Sequence, residues 1–200
     1  MSQYNTYLEK KLKIKLSNIV EFQSGIYEKP DINANTYYLQ AVHFTRSGSF
    51  DESVKPQLKL NNKIEKHLLK DGDLLFAAKG LNNFAVVYNS SIGKAVASSS
   101  FIVIKIRKEE IKKILPYYLA WFITHHKQIK IMHEQKLGTT IPSINMKQLG
   151  ELEIVVPSIA VQNKIVALHQ LREKEKELTA MIEEQKDKRV QLLLSSAIKK

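Results

Sequence analysis

The segment GTTIPSINMKQLGELEIVVPSIAVQNKI, residues 138–165, marks the point where a compact sequence pattern gives way to one long helix. It begins with small polar residues, continues through an alternating apolar run and contains Pro142 and Pro157. After Pro157, no glycine or proline interrupts the chain up to Lys200. Because both residues are unfavourable inside helices, the segment predicts a helix of about forty residues, which is roughly 60 Å long.

The chain before Pro157 has the patterns of a β-rich domain of the α+β class. Residues 36–44 (TYYLQAVHF) and 101–106 (FIVIKI) are rich in the β-branched and aromatic residues that favour strands. Residues 84–88 and 94–97 are predicted to form a hairpin. From residue 115 to 137 the apolar residues recur at helical spacing, with a proline at the first helical position.

We therefore predict two domains, a β-rich domain over residues 1–157 and one long helix over residues 158–200. The helix carries an intermittent apolar seam. The seam positions at coiled-coil spacing are Val161, Ile165, Leu168, Leu171, Leu178, Ile182 and Leu192. Polar residues occupy the other seam positions, which fits pairing with a specified register. We predict pairing with a second chain or a partner subunit; the alternative is that the helix folds back on its own domain.

The chain is basic, with a formal net charge of +11. The excess lies mainly in residues 105–147, which hold nine lysines and arginines against three glutamates. In the terminal helix, positively and negatively charged residues are more evenly mixed. A basic surface of this size attracts polyanions through phosphate contacts, so it indicates nucleic acid or an acidic partner. The alternative is a basic surface that serves solubility alone.

Several classes of protein are disfavoured by what the sequence lacks. It has no cysteine, which excludes disulfides and thiolate metal sites and fits a cytoplasmic protein. No apolar run is long enough for a transmembrane helix. Neither a G-x-G cofactor loop nor a phosphate-binding loop occurs, and His125, His126 and His133 have no carboxylate cluster beside them in sequence. These features favour a binding module that is not an enzyme and needs neither cofactor nor metal.

Six stretches of the sequence carry a family resemblance: residues 12–25 (LKIKLSNIVEFQSG), 37–44 (YYLQAVHF), 71–80 (DGDLLFAAKG), 98–106 (SSSFIVIKI), 116–123 (PYYLAWFI) and the segment from 138 onward. Together they resemble the specificity (S) subunit of type I restriction-modification systems. The resemblance implies a target recognition domain that binds double-stranded DNA, followed by a spacer helix. It also implies that the chain catalyses nothing. It would instead place methyltransferase (M) subunits, and through them the restriction (R) subunit, on a bipartite site.

The sequence departs from that family in one respect. Typical S subunits carry two recognition domains and two long helices, whereas this sequence has one of each. It therefore resembles a half-length form, either natural or a piece of a longer protein. The resemblance implies a homodimer in which two helices form an antiparallel coiled coil. Two-fold symmetry then predicts a split palindromic target with half-sites roughly one helical turn (~34 Å) apart.

Base readout requires polar or cationic side chains on loops that enter the major groove. Lysines on the basic helix before residue 138 are predicted phosphate contacts. The predicted DNA-binding residues are Tyr27, Arg46, Lys79, Asn82, Asn83, Ser99, Lys130, Lys136, Thr139, Thr140 and Asn145. For Asn82 and Asn145 a role in forming a turn or capping a helix is an equal alternative.

Two other functions remain open on the sequence alone. The first is a DNA-recognition module of another methyltransferase or phage-defence system. The second is a scaffold or decoy protein that binds the enzyme subunits without using DNA. A strong salt-sensitive affinity for DNA would count against the second alternative.

Overall fold

The computed structural model describes residues 13–31, 33–45, 48–80, 82–134 and 143–198. The strands are β1 (Lys13–Lys15), β2 (Val20–Ser24), β3 (Tyr37–Leu39), β4 (Leu74–Ala77), β5 (Ala85–Val87), β6 (Ala95–Ala97), β7 (Phe101–Ile106) and β8 (Glu153–Val155). The helices are α1 (Leu16–Ile19), α2 (Asn62–Glu65), α3 (Pro116–Thr124), α4 (His126–Glu134), α5 (Met146–Gly150) and α6 (Ile159–Ile198).

The predicted fold class is confirmed, with mixed sheets and helices followed by one long helix. The chain divides into two compact units, Met1–Asn163 and Lys164–Lys200, and the second consists of the remainder of α6 where it is described. The domain boundary at residue 157 and the coiled-coil pairing of α6 stay predictions. None of the described helices is long and apolar enough to cross a membrane.

The centre of the first unit is a four-stranded antiparallel sheet in the order β2-β7-β4-β5. All four residues of β4 are buried, and so are the first four residues of β7. The apolar run FIVI of β7 is therefore a central strand, which explains why it does not alternate with polar residues. Phe76, Phe101 and Ile104 are among the largest fully buried side chains of the described chain.

The predicted hairpin of residues 84–88 and 94–97 is wrong. Strand β5 pairs with β4, whereas β6 pairs in parallel with β3 in a separate two-stranded sheet. A 3-10 turn at Ser90–Ile92 and the positive φ of Gly93 (103°) separate the two strands. All three residues of β6 are buried, with Val96 in one apolar cluster and Ala95 and Ala97 in another. Strand β6 thus pairs with β3 because its side chains are buried in two apolar clusters, one on each side.

The helix predicted over residues 115–137 is in fact two helices, α3 and α4, over the residues described. His125 interrupts them with a non-helical backbone (φ −59°, ψ 135°). The hydroxyl of Thr124 donates to the carbonyl of Ala120 at 2.8 Å, a bond to the preceding turn that slightly destabilises a helix. The apolar spacing continues through the break, so periodicity alone did not reveal it.

A 3-10 turn at Ala41–His43 follows β3 and is held by its own side chains. The backbone N–H of Gln40 donates to Nδ1 of His43 at 3.2 Å, and the Gln40 side chain accepts from the backbone of His43 to complete a capping box. The N–H of Asp51 donates to the carbonyl of His43 at 2.9 Å. The turn is therefore fixed from both sides.

The first turn of α6 is bound to the first unit by Gln162, which is fully buried. Its Oε1 accepts from the N–H of Leu115 at 2.9 Å. Its Nε2 donates to the carbonyls of Lys113 and Pro157 at 2.7 and 2.8 Å. One carboxamide thus satisfies three backbone groups that have no water available, which makes its burial favourable.

Replacing this carboxamide is expected to be costly. In Gln162→Leu, three backbone groups lose their partner, and the free energy of unfolding should fall by about 1–3 kcal/mol. Urea unfolding of the full chain measures the change. Gln170→Leu is the matched control, because Gln170 is exposed on the same helix, and its effect should stay within about 0.5 kcal/mol. Equal effects of the two substitutions would contradict the role of Gln162.

The Ala41–His43 turn should make stability depend on pH. Burial lowers the pKa of His43 from its usual 6.5, against the opposing effect of the Asp51 carboxylate. The folded state therefore favours the neutral ring, and this stabilisation is present above pH 6.5 and is lost as the pH falls through the lowered pKa. The melting temperature should drop less between pH 7.5 and 5 for His43→Asn, which retains an acceptor but does not titrate. An identical drop in both proteins would refute this linkage.

Candidate nucleic-acid interface

The loops that carry most of the predicted DNA contacts meet at one edge of the four-stranded sheet. Strands β2 and β4 end there, and β7 begins there, because Ser24 lies opposite Ile102 and Ala77 lies opposite Phe101. We call this region the loop edge; it comprises residues 24–31, 78–80, 82–84, 98–100 and 143–145. Antiparallel pairing of β7 with β2 and β4 brings the first four of these segments together, and a bridge from Lys79 to Ser143 adds the last.

The loop after β2 lies directly against the turn before β7. The N–H of Ile26 donates to the carbonyl of Ala97 at 2.9 Å, and Ile26 forms a parallel bridge with Ser98. This contact requires glycine at position 25, since a Cβ there would lie 1.9 Å from the carbonyl oxygen of Ser98. The side chain of Tyr27, next along the loop, is 73% exposed.

The residues after β4 join the loop edge to the segment that begins at Ser143. Lys79 forms an antiparallel bridge with Ser143, and the N–H of Ile144 donates to the carbonyl of Ala78 at 2.8 Å. On its other side, the N–H of Ala78 donates to the carbonyl of Ser100 at 3.2 Å. The backbone of Lys79 is thus held in place while its side chain is exposed. A fixed backbone with an exposed ammonium group suits contact with a phosphate.

The side chain of Asn83 stabilises the loop after β4 through two hydrogen bonds. Its Nδ2 donates to the carbonyl of Ala77, and its Oδ1 lies 2.8 Å from Nε2 of His133. Because Nδ2 is committed to a carbonyl, Oδ1 must accept, and Nε2 of His133 must carry a proton. The side chain of Asn83 therefore links α4 to the loop edge by hydrogen bonds. No sequence pattern indicates this contact, since fifty positions separate the two residues.

Asn145 also has a structural bond, as the N-cap of α5. Its Oδ1 accepts from the N–H of Gln148 at 2.9 Å, and the Gln148 side chain accepts from the N–H of Asn145 at 3.0 Å. Nε2 of Gln148 then donates to the carbonyl of Met132 in α4. The capping alternative stated for Asn145 is what the structure contains, and the residue remains exposed.

The other predicted DNA contacts are distributed as follows. Asn82 and Ser99 are exposed at the loop edge. Lys130 is exposed on α4 and lies 3.6 Å from the carboxylate of Glu134. The remaining predicted contacts lie outside the described residues: Arg46, Lys136, Thr139 and Thr140. The loop edge therefore brings together Tyr27, Lys79, Asn82, Asn83, Ser99 and Asn145.

Two cations at the opposite end of the sheet are paired with carboxylates. A cavity of about 440 Å³ lies there, with both acidic and basic residues in its lining. Lys105 lies 3.8 Å from Asp73, and Arg107 lies 3.3 Å from Glu21. Burial raises the pKa of Asp73, although the neighbouring cations oppose this. Paired cations are less available to phosphates, so this end is a weaker candidate for DNA contact than the loop edge.

The described residues hold no cluster of three histidine or acidic side chains suited to a metal ion. On α3 and α4, the rings of Trp121, His125 and His126 follow one another at 5.6 and 4.3 Å between centroids. Burial and the neighbouring cations lower the pKa of His125. His125 and His126 thus form ring contacts with their neighbours along the chain, whereas His133 bonds to Asn83.

Three solved structures share the fold of this chain. The HsdS subunit from Thermoanaerobacter tengcongensis is 21% identical, with a TM-score of 0.58 over 88% of this chain and 46% of its own. The type I restriction-modification S subunit from M. genitalium is 14% identical, with a TM-score of 0.54 over 86% and 41%. A chain from a study of complex assembly and conformational transition of the type I R-M system is 15% identical, with a TM-score of 0.57 over 84% and 39%.

This chain spans less than half the length of each of those structures. No curated protein sequence matches it. The family model described as the type I restriction modification DNA specificity domain matches residues 9–185, which is most of the chain. The chain therefore belongs to the family of type I restriction modification DNA specificity domains.

Proposed function

We propose that this chain recognises a DNA sequence for a type I restriction-modification complex through its loop edge and catalyses nothing itself. The observation that carries this proposal is the convergence of exposed polar and cationic loop residues at one edge of the sheet. Lys79, Ser99 and Tyr27 lie there on backbone that other segments hold in place. Preorganised polar groups on a rigid support suit readout of base edges.

The residues of the loop edge divide into two roles. Lys79 contacts a phosphate, which contributes affinity but no sequence preference. Tyr27, Asn82 and Ser99 supply exposed polar groups for base edges. Arg46, Lys136, Thr139 and Thr140 are proposed as further contacts because of their polar or cationic side chains, and Thr139 and Thr140 also shortly precede Ser143 of the loop edge in sequence. Asn83 and Asn145 contribute through the loops that they hold.

The partners of the complex are proposed to be M subunits and, through them, the R subunit. Helix α6 supplies the surface for pairing with a second copy of this chain. Its described seam side chains at positions 168, 171, 178, 182 and 192 are between 47% and 72% exposed. Leaving so many leucine and isoleucine side chains in water is unfavourable, and a second helix would cover them. Paired helices would then set the distance between two recognition domains.

Removing the charge of Lys79 tests DNA contact at the loop edge. In Lys79→Ala, affinity for a mixed-sequence duplex should fall several-fold at physiological salt. The slope of log K against log salt should become shallower by about 0.9, the value for one lost phosphate contact. Fluorescence anisotropy at several salt concentrations measures both quantities.

Lys108→Ala is the matched control, because Lys108 is an exposed lysine that lines the cavity at the opposite end of the sheet. Its affinity and salt slope should equal those of the unaltered protein. If Lys79→Ala and Lys108→Ala lost the same DNA affinity, the DNA would not bind specifically at the loop edge. No DNA binding by the unaltered chain, alone or with an M subunit, would favour the scaffold alternative.

Light scattering tests the pairing of α6. The full chain should have about twice the mass of one 23.0 kDa chain at micromolar concentration. Leu178→Glu, at a seam position, should shift the mass to one chain. Ala180→Glu adds the same charge about 200° around the helix and should leave the dimer intact. A monomer at all concentrations, or equal effects of the two substitutions, would contradict pairing of two chains through the apolar seam of α6.

A further inference from the structure

The large apolar side chain most exposed in the described part of the first unit is that of Val42, at 82%. Tyr27 follows at 73%. Single exposed apolar residues are common on protein surfaces and need no explanation by themselves. The location of Val42 is what distinguishes it, because it lies beside the loop edge on the Ala41–His43 turn, where the composition of residues 36–44 had favoured a strand.

Contacts on both sides of Val42 place it next to the turn before β7. The carbonyl of Leu39 accepts from the N–H of Ser98 at 2.8 Å. The ring of Phe44 packs against Phe101 with 6.1 Å between centroids. Leu39, three residues before Val42, and Phe44, two residues after it, thus contact the first loop-edge serine and the residue that follows the serines. Tyr27 approaches the same serines through the bridge from Ile26 to Ser98.

The turn that carries Val42 is rigid, so its exposure is built into the fold. The capping box between Gln40 and His43, and the bond from Asp51 to the carbonyl of His43, hold the backbone on both sides. The N–H of Phe44 also donates to the carbonyl of Ala41 at 3.3 Å. Val42 cannot withdraw into the core without breaking these bonds. A side chain held in this way loses little freedom when it meets a ligand.

An apolar side chain has one distinctive partner in the major groove. Of the four bases, only thymine presents a methyl group there, and apolar side chains recognise thymine through it. Valine has no donor or acceptor, so it does not read the hydrogen-bonding edge of any base. We propose that Val42 is a specificity-determining residue that contacts a thymine methyl group in the target. This inference rests on the proposed DNA recognition by the loop edge.

Replacing thymine by uracil tests the contact, because it removes the methyl group and leaves base pairing unchanged. The protein is the full chain with an M subunit, and the duplex carries the target identified by sequencing methylated bases. We expect uracil at one thymine of the half-site to weaken binding roughly three- to fivefold. Val42→Ala should bind the thymine duplex more weakly by a similar factor and should not distinguish uracil from thymine at that position.

Two further variants serve as controls in the same comparison of thymine and uracil duplexes. Ile111→Ala removes an apolar side chain that is 58% exposed and lines the cavity at the opposite end of the sheet, so it should retain full sensitivity to uracil. Val42→Thr retains one methyl group and should retain part of the sensitivity. Unchanged melting temperatures of all variants would show that folding is not the cause.

The failure of this inference is distinguishable from failure of the proposed function. A target without thymine, or equal uracil effects in the unaltered protein and Val42→Ala, would overturn the role of Val42 while DNA recognition stands. A complex that shows no preference for its methylated target over other sequences would overturn the proposed function itself. If Val42→Ala loses the sensitivity to uracil at one thymine position, the result supports both the role of Val42 and the proposed DNA recognition.

Discussion

The position of β7 between β2 and β4 is the constraint on which the rest of the first unit depends. Its register with both neighbours places the end of β2, the end of β4 and the serines before β7 at one edge. The buried run Phe101–Ile104 holds that register, since a slip by one residue would turn the strand's side chains to the other face. The loop edge is therefore a consequence of packing in the sheet below it.

Polar residues at the loop edge serve two purposes that the sequence does not distinguish. Asn83 and Asn145 use their side chains to hold the loop and to cap α5. Lys79 and Ser99 are exposed, on backbone that the Lys79–Ser143 bridge and the backbone bonds of Ser98 and Ser100 hold in place. Rigid support lowers the entropy lost on binding, so in the proposed function Asn83 and Asn145 contribute by holding the loops that other residues use for contact.

Local sequence predicted some elements well and others poorly. The long helix and the strand FIVIKI follow from local properties, namely the absence of helix breakers and a dense run of β-branched residues. The parallel pairing of β6 with β3 does not, because fifty-eight positions separate Tyr37 from its partner Ala95. The break at His125 was also missed, since apolar spacing continues across it.

The sequence by itself determined the fold class, the forty-residue helix and the family, because each depends on local pattern or on motifs along the chain. Only the tertiary structure decided which strands pair, and therefore which loops lie together. It also decided that Asn83 bonds to His133 and that Val42 is exposed on a fixed turn. Such contacts join residues far apart in sequence, and their stability comes from burial and hydrogen bonding that local propensity does not contain.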